Sequence, residues 1–340
     1  MKASSRTRIF AHAGLMFAFA LPGMALAQGA KELRYASSAP PNTVWAMQTE
    51  RYAKLVDEAS GGKLKINAFI NSQLGSEQDT IQQVARGRID VGGYSVTAGS
   101  LLVPEISLLN LPFLFASPKQ QDCVLDGHLT GITNHLFAKK GTQFLGWTHV
   151  GQTNIIGKKP FTRPDELKGL KARAQPTKIG GYLWTTFGAN PNPLPVTEWN
   201  SAHQTGLVDV ADAPMTYYLF SGLAKIAPVM TRTKHLDQGG VTVMNKAIYD
   251  GLPEDMRKAL VAGGDKAPAA MLRAEVRGFE EKLDAKFKAE GGTVVELDAA
   301  QREVWRKGME AIWPKAVEAI GGESGAYWKA IRAGIQACGA

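Results

Sequence analysis

In GLKARAQP, residues 169 to 176, Leu170, Ala172 and Ala174 alternate with Lys171, Arg173 and Gln175, the period-two pattern of a strand with one apolar face. Arg173 has alanine on both sides in the chain, which gives its guanidinium no cover. It is therefore either a solvated charge on a sheet surface or a planar fork of donors aimed at an acid, a geometry that suits a carboxylate. Other chemistries find little support. His128, His135, His149, His203 and His235 form no HExxH and no close i, i+4 pair, so they do not read as metal ligands. Gly93-Tyr94-Ser95-Val96-Thr97 comes nearest to a nucleophile elbow but lacks the second glycine. There is no Walker loop and no GxGxxG, so no nucleotide cofactor is implied. The basic pairs Lys139-Lys140 and Lys158-Lys159 are short and lack interleaved aromatics, which argues against nucleic acid as a partner.

The elements that must position these residues follow an export leader. Lys2, Arg6 and Arg8 precede an apolar run from Ile9 to Leu21, and Ala25-Leu26-Ala27 follows. This is the order of a signal peptide, cut after Ala27 and leaving the mature chain in the periplasm. No later run approaches the twenty or so apolar residues of a membrane span, so the exported chain is expected to be soluble. The formal charge of +8 includes the three leader cations. What remains is ordinary solubilising charge that also suits an anionic ligand. The two cysteines, Cys123 and Cys338, would lie in an oxidising compartment, and the sequence leaves open whether they meet.

The length suggests two domains. ELRYASSA reads as a strand with Leu33 and Tyr35 on one face. TVWAMQTERYAKLVDEAS follows as a helix closed by Gly61-Gly62, and KLKINAFI as a second strand, the opening of an α/β domain with a parallel sheet. SEQDTIQQVARGRIDV supplies Ser76 as a helix cap, Gly87 as its stop and a strand entered through Asp90. TEWNSAHQTGLVDV repeats that plan with Thr197, Gly206 and Asp209, as two lobes built alike would. FLGWTHVGQTNIIG and HLDQGGVTVMNKAIY are two candidate crossings between the lobes, and the chain from Pro253 onward is mainly helical. The expected architecture is α/β, with two lobes and a helical C-terminal region. The first lobe takes residues 28–150 and 239–278, the second 151–238 and 279–340.

Several phrases then converge. SQLGSEQDTIQQVARGRIDV, LPFLF at 111 to 115, LKGLKARAQP, and GANPNPLPVTEWNSAHQTGLVD with Pro214 after it resemble the substrate-binding proteins of tripartite ATP-independent periplasmic (TRAP) transporters over nearly the whole mature chain. The resemblance implies a two-lobed periplasmic-binding-protein-like fold with a ligand cleft between the lobes, a receptor that closes on a small organic acid and delivers it to an integral-membrane permease, with no enzymatic activity and no cofactor. In that family the arginine of the GLKxR strand pairs with the ligand carboxylate, and Arg173 stands there. Family position also marks Ser38, Ser76, Tyr94 and Ser95 as cleft candidates. Trp45, Trp147, Tyr182, Trp199 and Tyr217 are available either as pocket wall or as core.

The departures from the family pattern narrow the ligand. Where relatives often carry a second arginine, Thr153 stands, and the common ligand-holding asparagine is Ala213. Recognition is thus expected to lean on Arg173 with neutral donors such as Thr153 and Gln152. Asp212 would repel an acid unless it pairs with a cation or accepts a hydroxyl proton. These departures favour a monocarboxylate with an apolar, aromatic or hydroxylated body. A C4-dicarboxylate receptor, a periplasmic enzyme acting on a similar acid, and a sensory module on the same fold stand as alternatives.

Overall fold

The computed structural model describes residues 29–265 and 269–339. The export leader, its cut after Ala27 and the Pro268 interruption lie outside the described residues. No helix among the described residues is long and apolar enough to cross a membrane.

The strands are β1 (Lys31–Ser37), β2 (Leu64–Phe69), β3 (Val91–Ser95), β4 (Thr142–Gly157), β5 (Lys171–Ala174), β6 (Asn190–Pro193), β7 (Val210–Pro214), β8 (Val229–Asn245) and β9 (Thr293–Glu296). They join in the order β2-β1-β3-β8-β4-β7-β5-β6, with β9 beside β8. At one end β1 runs parallel to β2 and β3; at the other β5 runs parallel to β6 and β7. Between them β4 and β8 pair antiparallel. Strand β8 pairs β9 through its first residues and β3 through its last. Both long strands therefore belong to both lobes, as the two candidate crossings require.

Each lobe repeats a local rule. The helix Glu77–Ala85 is capped by the Ser76 hydroxyl, which accepts from Asp79 N, and ends before Gly87 at a φ of 72°. Gly206 ends its counterpart at a φ of 70°. The residue entering the next strand then ties that strand to its neighbour: Arg34 N donates to Asp90 Oδ2 at 2.6 Å, and Lys171 N to Asp209 Oδ2 at 2.9 Å. The parallel is imperfect. Pro195 starts a 3₁₀ turn over Val196–Glu198, so Thr197 lies inside that turn and Glu198 occupies the N-cap position of the helix Trp199–Gln204.

The C-terminal region divides between the lobes. Trp305 and Met309, on the helix Ala299–Glu310, pack with Ala172 and Ala174 in the second lobe. The helices Trp313–Ile320 and Ser324–Cys338 instead bury Ala316, Ile320, Tyr327 and Ile331 against Val96, Leu125 and Phe137 of the first lobe. Assigning all of 279–340 to the second lobe thus fails for 313–339, whose apolar faces are covered by first-lobe side chains. Cys338 is bonded to Cys123 with a Cα separation of 6.0 Å, which answers the question the sequence left open. The short strand β9 interrupts this mainly helical region.

The helix Ala269–Ala289 runs alongside both lobes. Arg273 and Arg277 pair with Asp122, while Leu283 and Phe287 pack beside Tyr218 and Met230 in the second lobe. Between them the Glu280 carboxylate accepts from Gln152 N at 2.8 Å and Thr216 N at 3.3 Å. Strand β4 shifts register between His149 and Gly151. Gly151 has a φ of 134°, and a Cβ there would meet Glu280 Oε1 at 2.5 Å. Burial pushes the Glu280 carboxyl up to about 7, against the two backbone donors.

The disulfide closes a loop of 215 positions. Replacing both cysteines by serine is expected to lower the unfolding free energy by about 2–4 kcal/mol. Urea denaturation of oxidised wild type and the double variant measures the difference, and coincident midpoints would contradict it.

Candidate functional site

Arg173 is 3% exposed, so it is not a solvated strand charge. Ala172 and Ala174 point the other way, into the second-lobe core. The cover that its chain neighbours do not give comes from elsewhere in the lobe. Nε and Nη2 donate to the Leu194 carbonyl at 3.0 and 2.8 Å, and the guanidinium carbon sits 4.1 Å from the centre of the Trp199 ring. Nη1 lies 3.9 Å from Asp212 Oδ1. Burial pulls the Arg173 pKa down to about 10, with Asp212 opposing, so the group stays cationic at neutral pH. One edge of the fork is fixed on Leu194, while Nη1 and the second N–H of Nη2 remain to receive a carboxylate.

Asp212 resolves the repulsion expected of it by pairing, with Arg173 on one side and His235 Nε2 at 3.3 Å on the other. His235 Nδ1 in turn lies 2.7 Å from Thr233 Oγ1.

Across the cleft stands Glu77, which the sequence reading passed over. A glutamate in the first turn of a capped helix is expected there for the helix dipole alone. Its carboxylate instead turns inward and accepts from Ser95 N at 2.9 Å and Ser95 Oγ at 2.8 Å. Burial pushes its pKa up; the hydrogen bonds from Ser95 and Ser38 and the charge of Arg173 oppose this without cancelling it.

These groups line one cavity of about 700 Å³. Ser38, Trp45, Tyr94 and Ser95 face it from the first lobe, Thr153 from the crossing strand β4, and Arg173 and Asp212 from the second lobe. Trp147, Trp199 and Tyr217 wall it, whereas Tyr182 packs against the first-lobe core. Thr153 Oγ1 and Trp45 Nε1 are buried without a protein partner.

Three expected site residues do not reach this cavity. Gln152 alternates with Thr153 along β4, and it lines a second cavity on the other side with Glu280 and Arg277. The Ala213 side chain lies in the apolar cluster with Tyr218 and Met230. The Ser76 hydroxyl is spent on Asp79, accepting from its N and donating to Oδ2 at 2.7 Å. Thr97, Gln175 and Gln238 were missed. Thr97 Oγ1 donates to Gln175 Oε1 at 2.8 Å, Asn110 Nδ2 donates to both, and Gln238 Nε2 donates to Thr97 Oγ1. Gln175 shares the alternation parity of Arg173, and that signal was present in the sequence.

Residues 35–319 match the family model described as bacterial extracellular solute-binding protein, family 7. The chain belongs to this family. Among the relatives of this family 7 protein is the 2,3-diketo-L-gulonate-binding periplasmic protein YiaO of Escherichia coli K12, 27% identical over 88% of this chain and 90% of the other. A TRAP solute-binding protein of Sulfurospirillum deleyianum, solved with succinate, superposes with a TM-score of 0.80 at 27% identity, covering 91% and 99% of the two chains. Another from Polaromonas, solved with D-erythronate, gives 0.82 at 26% identity, covering 89% and 98%. The two-lobed α/β architecture and the role of a TRAP solute receptor follow.

In this family 7 receptor, Thr153 lines the same cavity as Arg173, and its hydroxyl is buried without a protein partner. The isosteric Thr153→Val change is expected to weaken acid binding about two- to tenfold, the worth of one neutral hydrogen bond, while leaving the melting temperature unchanged. Tryptophan fluorescence titration and a thermal melt read the two effects. Unaltered affinity would remove Thr153 from the site.

Proposed function

We propose that this receptor captures a hydroxylated monocarboxylate in the periplasm and passes it to a membrane TRAP permease. The observation that carries the reading is the charge balance of the cavity wall. Arg173 is the one arginine or lysine among the described residues lining it, whereas Glu77 and Asp212 are acceptors. A first carboxylate has a fork to meet. A second, as in succinate, would face two buried carboxyl groups with no further cation, and like charges in a low-dielectric site repel strongly. Hydroxyl groups suit the same wall, since each can donate to Glu77 or Asp212 and accept from Thr153 or Ser38. The D-erythronate held by the Polaromonas relative is of this class. The rings of Trp199, Trp45 and Tyr217 offer apolar faces to the carbon chain.

Capture works through closure. Arg173 lies on the second lobe, Glu77 and Ser38 on the first, so a ligand that touches both stabilises the state in which the lobes meet. The Thr97–Gln175 hydrogen bond joins the same two lobes and adds to that state.

An enzyme acting on the acid is the weaker reading. Ser95 donates to Glu77 rather than to a histidine, so it lacks the histidine base that activates a serine nucleophile. Unchanged acid after long incubation supports the receptor, and product formation would support the enzyme. Association with a permease in detergent extracts separates delivery from sensing.

The direct test is to denature freshly purified protein and identify the acid released by mass spectrometry. Arg173→Ala is then expected to bind that acid about 30- to 1000-fold more weakly, the cost of losing a charge-assisted bidentate pair. Tight binding by the variant would end the assignment.

A further inference from the structure

The cavity holds more negative charge than a receptor for anions needs. Arg173 already faces Asp212, and Glu77 lies buried in the same cavity with no cation among the described residues in hydrogen-bonding contact. A ligand carboxylate arriving on Arg173 is therefore a third anion around one guanidinium. Other charged groups do not relieve Glu77. His235 is committed to Asp212. Asp126 and His149, which also line the cavity, belong to a network with Arg273, Arg277 and Asp237. The phenols of Tyr94 and Tyr217 also face Glu77, and burial pushes both upward, so they stay neutral.

We infer that binding of the acid anion at Arg173 is accompanied by uptake of one proton from solvent onto a Glu77 carboxyl oxygen, so that the receptor captures the anion together with a proton. This rests on the receptor reading above. The surroundings of Glu77 accept either protonation state. Ser95 N donates to Oε1 and Ser95 Oγ to Oε2, and the Ser38 hydroxyl also bonds the carboxylate; a hydroxyl can rotate from donor to acceptor when the carboxyl gains its proton.

The direction of the linkage follows. Burial already raises the Glu77 pKa, and the hydrogen bonds from Ser95 and Ser38 and the Arg173 charge partly offset this. A bound carboxylate neutralises the Arg173 charge and raises the pKa further. Between the two values the complex binds more protons than the free receptor, so affinity rises as pH falls, by up to tenfold per pH unit. Above both values, and below both, proton occupancy does not change on binding and affinity is flat. A neutral Glu77 also presents a donor to a ligand hydroxyl, where an ionised one only accepts.

Titration calorimetry with D-erythronate and D-glucuronate, in phosphate and in imidazole at matched pH between 6 and 8, tests the inference. The expected result is a buffer-dependent heat that reports net proton uptake, with a dissociation constant that falls as the pH is lowered. Glu77→Gln should abolish both the buffer dependence and the pH slope. Ligand-induced infrared difference spectra of the wild type should gain a protonated-carboxyl band, which keeps the site assignment testable if the variant does not fold. Binding with equal heats in the two buffers, a slope retained in the folded variant, or no carboxyl band overturns the proton linkage while leaving the receptor reading intact. Absence of binding by both acids overturns the proposed ligand class, and this inference with it.

Discussion

A guanidinium almost wholly removed from water must be satisfied by the protein around it, and the second lobe is built to do this for Arg173. Leu194 N donates to the Ala174 carbonyl, which fixes the backbone at the end of β6. The Leu194 carbonyl then receives Nε and Nη2 of Arg173. The two prolines of β6, Pro191 and Pro193, are tolerable because this is an edge strand. Trp199 covers one face of the fork and Asp212 balances its charge. With one edge, one face and the charge accounted for, the remaining donors point in a fixed direction. Such preorganisation lets a carboxylate gain binding energy without first ordering the side chain that receives it.

What the sequence revealed and what it hid both follow from strand parity. The alternation in GLKARAQP correctly set Arg173 against its alanine neighbours, and it also placed Gln175 on the Arg173 face. Adjacent candidates were a harder case, because Gln152 and Thr153, or Asp212 and Ala213, cannot both face one cleft from a regular strand. The register shift at Gly151 prevents parity from being counted along β4 from Phe144. Ser76 and Glu77 pose a similar ambiguity at a helix start, where the residue that caps is not the residue that enters the cavity. The meeting of Thr97, Asn110, Gln175 and Gln238 joins parts of the chain far apart in sequence, and no local pattern announces it.

One helix ties the two lobes together. On the first-lobe side the helix Ala269–Ala289 is held by arginine–aspartate pairs, and burial of Asp237 is outweighed there by His149 and Arg277, which hold its carboxyl below the usual range. On the second-lobe side the same helix is held by apolar contacts of Leu283 and Phe287 and by a further arginine–aspartate pair, Arg232 with Asp284 at 2.5 Å. Charge-assisted hydrogen bonds are directional, so the helix is fixed to each lobe at defined points. Glu280 sits between these points, against the register shift of β4 at Gly151.

The bond between Cys123 and Cys338 has a practical corollary for anyone following the motion optically. The final helix rides on the same body as β1, so dyes attached near Lys31 and Gly339 would move as a unit and stay at constant separation through an opening cycle. An informative dye pair needs one member beyond the crossing strands, on the helix Trp199–Gln204 or its surroundings. A terminal fusion at either end would leave the second lobe unencumbered.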